Sequence, residues 1–343
     1  MSKKNPASGP NNSLTDIAGL KVGQAEDKIA RTGVTVIVCE TPFLAAVDVR
    51  GGGPGTRESD ALAPHNLAPP VDALVLAGGS VYGLGAADGV CAALGAQGRG
   101  FGVYGQSGIP RSPIVPAAVL YDLANGGSKS WGDAPPYRAL GMAALHNAGC
   151  DFALGSAGAA YGAQAGALAG GLGSASVISA DGLKVGALAA VNSFGAVLVP
   201  GTRRFWAAPY EMDGEFGGLG WPQEMQDLAD DWGAAKPDPA QRQNTTLGVV
   251  ATSARLSQGQ CKRLAIMAQD GLARAIRPVH TPFDGDIVFA LSTGGDDAPP
   301  PDEFTLARLG NLAADCLARA IARGVFEATG TGSAPAWRDY RPD

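Results

Sequence analysis

The residues best placed to do chemistry form one short run, Asn244-Thr245-Thr246, at the head of Leu247-Gly248-Val249-Val250-Ala251-Thr252. A polar, proline-bearing segment, Lys236-Pro237-Asp238-Pro239-Ala240-Gln241-Arg242, leads into this β-branched, apolar run. Such a switch reads as an exposed loop delivering the chain into a buried strand. A threonine at the first position of a strand can attack the carbonyl before it, cut the chain there and become a new N-terminus. The freed α-amine, with a reference pKa of about 7.7–8.0, then serves as general base for its own hydroxyl. The same two threonines also read as ordinary β-formers opening a strand.

Other candidate motifs are weaker. Gly78-Gly79-Ser80-Val81-Tyr82-Gly83 misses the GxSxG elbow by one residue, which leaves a conventional hydrolase serine at Ser80 as a rival. Arg50-Gly51-Gly52-Gly53-Pro54-Gly55-Thr56-Arg57-Glu58 is glycine-rich but lacks the Lys-Ser/Thr ending of a phosphate-binding loop. The cysteines (Cys39, Cys91, Cys150, Cys261, Cys316) form no CxxC pair, and His65, His146 and His280 stand apart from them. They read as buried free thiols in a reducing compartment, with neither metal nor cofactor implied.

The elements that must position these residues follow from patterning. Hydrophobic residues make up 45% of the chain and charged ones 17%, ample for a core. The net charge of −6 and scattered basic residues argue against a nucleic-acid surface. No apolar run is long enough for a membrane span, and Met1 to Pro6 lack the apolar core of a secretory signal, so a cytoplasmic protein is expected. Residues 1–14 read as a disordered lead, and 15–343 as one catalytic domain. Short strands are predicted over 34–39, 45–49, 73–77, 185–191, 196–199 and 287–292, with Pro42 turning between the first two. Asn192-Ser193-Phe194-Gly195 reads as a tight hairpin. Ser80 is placed as N-cap of a helix running to about Leu94. Ser257 to Gln260 is a capping box opening a helix to about Ile276, and Asp302 caps the last helix. Residues 201–243 read as a long surface segment. Strands and helices in layers with glycine-dense turns predict an α/β sandwich.

Six ordered stretches resemble one family, the self-processing aminopeptidases and amidases of the DmpA type, which include β-peptidyl aminopeptidases and nylon-oligomer endo-hydrolases. They are Thr15 to Gly23, Val49 to Glu58, Leu76 to Leu84, Val191 to Gly195, Asn244-Thr245-Thr246 and Phe283-Asp284-Gly285-Asp286. The resemblance implies an αββα four-layer sandwich, cleaved between Asn244 and Thr245 into chains 1–244 and 245–343. It implies Thr245 as nucleophile and Asn192 as an oxyanion donor. Asp284 and Asp286 match the pair that hydrogen-bonds the nucleophile's amine and hydroxyl, and Tyr121 matches a tyrosine near bound substrate. From the residues alone, Asn192 also reads as a turn former, Asp284-Gly285-Asp286 as a solvated turn and Tyr121 as a core aromatic. The implied substrates are short peptides, amino-acid amides or ω-amino-acid oligomers, handled by a homo-oligomer, with a tetramer suggested. One departure stands out: many members carry a lysine near the positions of Ala167 and Ala169, and none lies between Lys129 and Lys184. That gap keeps a catalytically silent binding protein on the same fold as a further alternative.

Overall fold

The computed structural model describes residues 6–67, 70–102, 108–223, 232–236, 244–295, 299–330 and 334–342. Strands β1 (Leu20–Asp27), β2 (Thr32–Val49), β3 (Thr56–Arg57), β4 (Val71–Ala77) and β5 (Ala117–Val119) come first. A small hairpin follows, β6 (Gln164–Ala165) with β7 (Leu168–Ala169), then β8 (Gly171–Ile178), β9 (Lys184–Asn192), β10 (Thr245–Thr252) and β11 (Ile287–Ser292). The helices are α1 (Gly85–Ala96), α2 (Tyr137–His146), α3 (Gln258–Ala268), α4 (Asp270–Ala275) and α5 (Glu303–Glu327).

Among the described residues, nine strands join in one path ordered β3-β5-β4-β2-β11-β10-β9-β8, with β1 on β2. The long β2 belongs to both halves: its first part pairs with β1 and β4, its last residues with β11. The two halves therefore fold face to face, and side-chain alternation sorts their residues into three cores. Leu247, Val249, Phe289 and Leu188 meet Ile37, Leu74 and Leu76 between the half-sheets. Val250, Ala290 and Ala187 point the other way, into a core with Leu264, Leu317 and Ile321 of α3 and α5. Val34, Val36 and Val75 face Val90 and Ala144 of α1 and α2. Three cores separate four layers, helices, sheet, sheet and helices, which is the expected αββα sandwich.

The glycine- and alanine-rich stretch before β9 is explained by contact between backbones. A Cβ on Gly173 would stand 1.9 Å from the Ala320 carbonyl oxygen of α5. Local capping signals hold: Ser257 and Gln260 form the reciprocal box at the start of α3, and Asp302 accepts from Thr305 N–H at the start of α5.

Several expectations are corrected. Residues 6–14 are ordered: Ala7 pairs with Ile178, and Ser13 caps a short 3-10 turn whose Leu14 is fully buried. Residues 1–5 lie outside the described residues. Pro42 does not end a strand, because β2 runs through it with a shift in register between Val38 and Phe43. Ser80 caps nothing; a 3-10 turn over Ser80–Leu84 precedes α1. No hairpin forms at 192–195, since Ala196 bridges to Arg277 while β9 takes β10 and β8 as partners. Helix α3 ends at Ala268 and α4 continues separately. Phe205 and Phe216 of the expected surface segment are buried in the α3–α5 core; residues 224–231 and 237–243 lie outside the described residues. Cys150 is exposed and Cys91 half-buried, where buried thiols were expected.

Candidate functional site

All six sequence-predicted positions converge at one end of the sheet. Thr245, the first residue of β10, pairs directly with Asn192, the last residue of β9. Asn244 bridges in parallel to Asp284, just before β11. At the end of β2, Arg50 N–H donates to the Asp286 carbonyl at 3.0 Å, and Gly53 N–H to the Asp284 carbonyl at 2.8 Å. The glycine-rich loop after β2 thus clamps the Asp-Gly-Asp turn, and it does so at backbone distance. A Cβ on Gly51 would stand 2.3 Å from Asp286 N, and one on Gly285 2.6 Å from Thr245 Oγ1.

Asn192, Asn244, Thr245, Asp284 and Asp286 are all at most 4% exposed. The Thr245 hydroxyl donates to the carbonyl of Asn244, the bond before it, at 2.5 Å. The same oxygen accepts the Gly285 N–H at 2.8 Å. Asn192 is held at both ends of its amide: Oδ1 accepts Gln164 N–H at 2.9 Å, and Nδ2 donates to the Tyr121 carbonyl at 3.0 Å. Tyr121 therefore reaches the site through its backbone, and it also lines a cavity of about 70 Å³ with Asn125, Gln164, Asn192 and Lys236. A larger cleft of about 450 Å³, lined by Trp206, Tyr210, Trp221, Arg274 and Arg277, is bordered by none of the six residues. Of the six, Asn192 and Tyr121 border the small cavity.

The acidic turn is buried, which removes the solvated-turn reading. Asp284 accepts Phe194 N–H (3.2 Å), Thr281 N–H (3.0 Å) and the Thr281 hydroxyl (2.6 Å). Asp286 accepts Thr246 N–H at 2.8 Å through one oxygen; the other takes His280 N–H at 3.0 Å and lies 2.9 Å from His280 Nδ1. In this uncut chain neither carboxylate hydrogen-bonds Thr245 itself; they frame it from the neighbouring amides. Burial, and then Asp286 beside it, push the Asp284 carboxyl above the usual range.

Three contributors were not singled out from the sequence. His280 and Thr281 lie beside the recognised turn, and an Asp-Gly-Asp turn that needs donors for its carboxylates was the available signal. Lys236 had no signal of its own. Expected in an exposed loop, it instead places its ammonium 2.8 Å from Asn244 Oδ1. The residue as a whole is half-buried, and burial lowers the pKa of its ammonium to about 7 against the opposing pull of Asp284. The Ala234 carbonyl accepts Ala167 N–H at 2.7 Å, so this lysine enters from beside the very segment where a lysine is lacking.

Ser80 is elsewhere and differently built. It has φ +52 and donates its N–H to the Leu120 carbonyl, and its hydroxyl has no hydrogen bond among the described residues. No group of histidine, cysteine or acidic residues among those described is arranged to hold a metal. No helix of the described residues is long and apolar enough to cross a membrane.

Solved structures share this layered fold. A β-aminopeptidase from Burkholderia sp. superposes with a TM-score of 0.69 at 24% identity, covering 96% of this chain and 90% of that one. The L-aminopeptidase D-Ala-esterase/amidase of Ochrobactrum anthropi, described as a variant of the Ntn-hydrolase fold, gives 0.68 at 21% identity, covering 96% and 92%. The profile of peptidase family S58 matches residues 12–335, and the chain belongs to that family. An uncharacterized aminopeptidase of Mycobacterium tuberculosis is 44% identical over 96% of this chain and 98% of its own length. A 6-aminohexanoate-oligomer endohydrolase of Kocuria sp. is 30% identical, covering 86% of this chain and 78% of its own. The protein is a peptide-bond hydrolase of the aminopeptidase and amidase kind, and peptide or oligoamide substrates fit the family.

Proposed function

We propose that the chain is a precursor that cuts itself between Asn244 and Thr245, leaving chains 1–244 and 245–343, and then hydrolyses amides through an ester on Thr245. One observation carries this reading: the Thr245 hydroxyl and the Gly285 N–H meet on the carbonyl oxygen of the bond to be cut. In the first step the Thr245 oxygen adds to the Asn244 carbonyl carbon, and the charge developing on oxygen faces the Gly285 N–H. Collapse breaks the C–N bond, moves the proton to the Thr245 nitrogen and leaves Asn244 esterified to the threonine oxygen. Water then releases the Asn244 carboxylate, the Thr245 hydroxyl and a free α-amine.

In the mature enzyme that amine takes the hydroxyl proton during attack on substrate and returns it to the leaving amine. Asn192, directly across the ladder and fixed by Gln164 and Tyr121, supplies an amide donor to the substrate oxyanion. Asp284 and Asp286 hold the turn that bounds the nucleophile. The substrates are short peptides, amino-acid amides or ω-amino-acid oligomers, the last supported by the named activity of the Kocuria relative. Intact mass spectrometry of purified protein tests the reading. The expected result is two chains, the smaller beginning Thr-Thr-Leu-Gly. A single full-length chain that still hydrolyses amides overturns it.

A further inference from the structure

The ester formed during maturation is itself an acyl-enzyme, with Asn244 as the acyl residue. Whatever grips Asn244 before cleavage therefore describes where the acyl group of a substrate can sit. That grip is Lys236. Among the described residues the ammonium has one hydrogen-bond partner, Asn244 Oδ1 at 2.8 Å. Among the described residues it is also the one basic side chain bordering the small cavity shared with Asn192, Gln164 and Tyr121.

The lysine does not depend on Asn244 for its place. Its own N–H donates to the Phe194 carbonyl at 3.0 Å, the Ala234 carbonyl accepts Ala167 N–H, and Trp232 packs edge-on against Phe194 with centroids 5.8 Å apart. Cleavage frees Asn244 to leave, while these contacts keep Lys236 where it is. A buried ammonium without an acceptor is costly, so the vacated position favours a new one. Burial disfavours the Lys236 ammonium, and an acceptor at the vacated position favours it again.

Resting on the proposed self-cleavage, we propose that Lys236 forms an acyl-side subsite for a carbonyl oxygen as far from the scissile carbonyl as the side-chain amide oxygen of asparagine. The favoured acyl groups carry a neutral or anionic acceptor there. A protonated amine at the same distance meets a like charge and is disfavoured.

The probes are two anilides of the same shape, succinamoyl p-nitroanilide, which bears the acceptor, and isocaproyl p-nitroanilide, its hydrocarbon counterpart. The wild-type enzyme, normalised to processed sites, is expected to favour the first in kcat/KM by about tenfold or more, as for a hydrogen bond to a charged group. Lys236→Met should bring the ratio near one, and Lys236→Arg should restore part of it. Asn244→Ala should slow maturation, yet its processed enzyme should keep the wild-type ratio, because Asn244 has left. A ratio that Lys236→Met does not change overturns the proposal, since a lysine that only packs would lower thermal stability and leave selectivity alone. If neither anilide is cleaved, maturation decides: wild-type cleavage rates in both Lys236→Met and Asn244→Ala overturn it, and slowed cleavage in both supports it. Activity retained in Thr245→Ala would instead sink the self-cleavage reading, whatever the anilide ratio.

Discussion

Two glycine-rich turns in this molecule wrap buried carboxylates, and they use them differently. Gly78 and Gly79, after β4, enclose Asp122, whose oxygen accepts Gly79 N–H at 2.7 Å. Tyr137 fills the space that a side chain on Gly79 would need, 2.0 Å from its Cβ position. The adjacent Ser80 hydroxyl makes no hydrogen bond among the described residues. Gly51 to Gly53, after β2, enclose the turn of Asp284 and Asp286, and here the carboxylates bind amides on three segments around Thr245. A nucleophile needs a donor facing the oxygen it will charge and a base for its proton. In the proposed mechanism Thr245 has the donor in Gly285 N–H and acquires the base when its amine is freed. Ser80 has neither. A hydroxyl beside glycines is therefore weak evidence until the donor is found.

The sharpest way to break this contrast is to remove each hydroxyl. Thr245→Ala should stay one chain and lose hydrolysis to background, a loss on the order of 10⁶ for a nucleophile that acts as a unit with its base. Ser80→Ala should mature and turn over within about twofold of wild type, the small effect usual away from a site. Electrophoresis under denaturing conditions and an amide-release assay read both, and the reverse pattern would transfer the chemistry to Ser80. Next in size, Asn192→Ala should fold and lose about 10²–10³ in turnover. A fall in melting temperature with turnover preserved would make Asn192 a ladder residue only.

The legible parts were those encoded over a few neighbouring residues. The loop-to-strand switch at Thr245, the Ser257 capping box and the Asp302 cap depend on local backbone chemistry, and the structure has each strand or helix start where it was read. The Asp-Gly-Asp turn was found through its resemblance, and its burial came from Gly51 to Gly53, far away in sequence. Lys236 was illegible because its position is set by its own N–H on the Phe194 carbonyl, by the Ala167 N–H on the Ala234 carbonyl and by an aromatic contact of Trp232, none of which leaves a period. The hairpin at 192–195 failed for a related reason. Its turn residues are suitable, but Ala196 finds a better partner in Arg277, on a segment that turn chemistry cannot see.

The two turns can also be compared glycine by glycine. Gly285→Ala places a methyl 2.6 Å from the Thr245 hydroxyl oxygen, so maturation should slow by up to about 10²-fold, the penalty for displacing a reacting group by around 1 Å. Gly79→Ala meets the Tyr137 ring and carries φ +82, and should cost about 1–3 kcal/mol of stability. Its folded fraction should still mature normally. If Gly79→Ala slowed cleavage per folded molecule as much as Gly285→Ala, the division between packing turn and reaction turn would fail.

The smallest effect concerns the packing turn's own acid. Burial pushes the Asp122 carboxyl up to about 6, although the Thr32 hydroxyl and the Gly79 N–H favour its ionised form. In the unfolded chain the same group titrates near 3.9. Between these values the folded state keeps a proton that the unfolded state has lost. The stability this group contributes is thus complete below about pH 4, falls as pH rises towards about 6, and stays at the lower level above. Asp122→Asn keeps a side-chain oxygen for Gly79 and removes the titration. Denaturation of both proteins from pH 4 to 7 should show the variant gaining on wild type across that window, by at most about 2–3 kcal/mol. A stability difference that stays constant over the whole range would mean that Asp122 is ionised as readily in the fold as outside it. Burial would then raise the carboxyl of the Asp284-Asp286 turn but not that of the Gly78-Gly79 turn, and the two turns would differ in how they carry a buried acid.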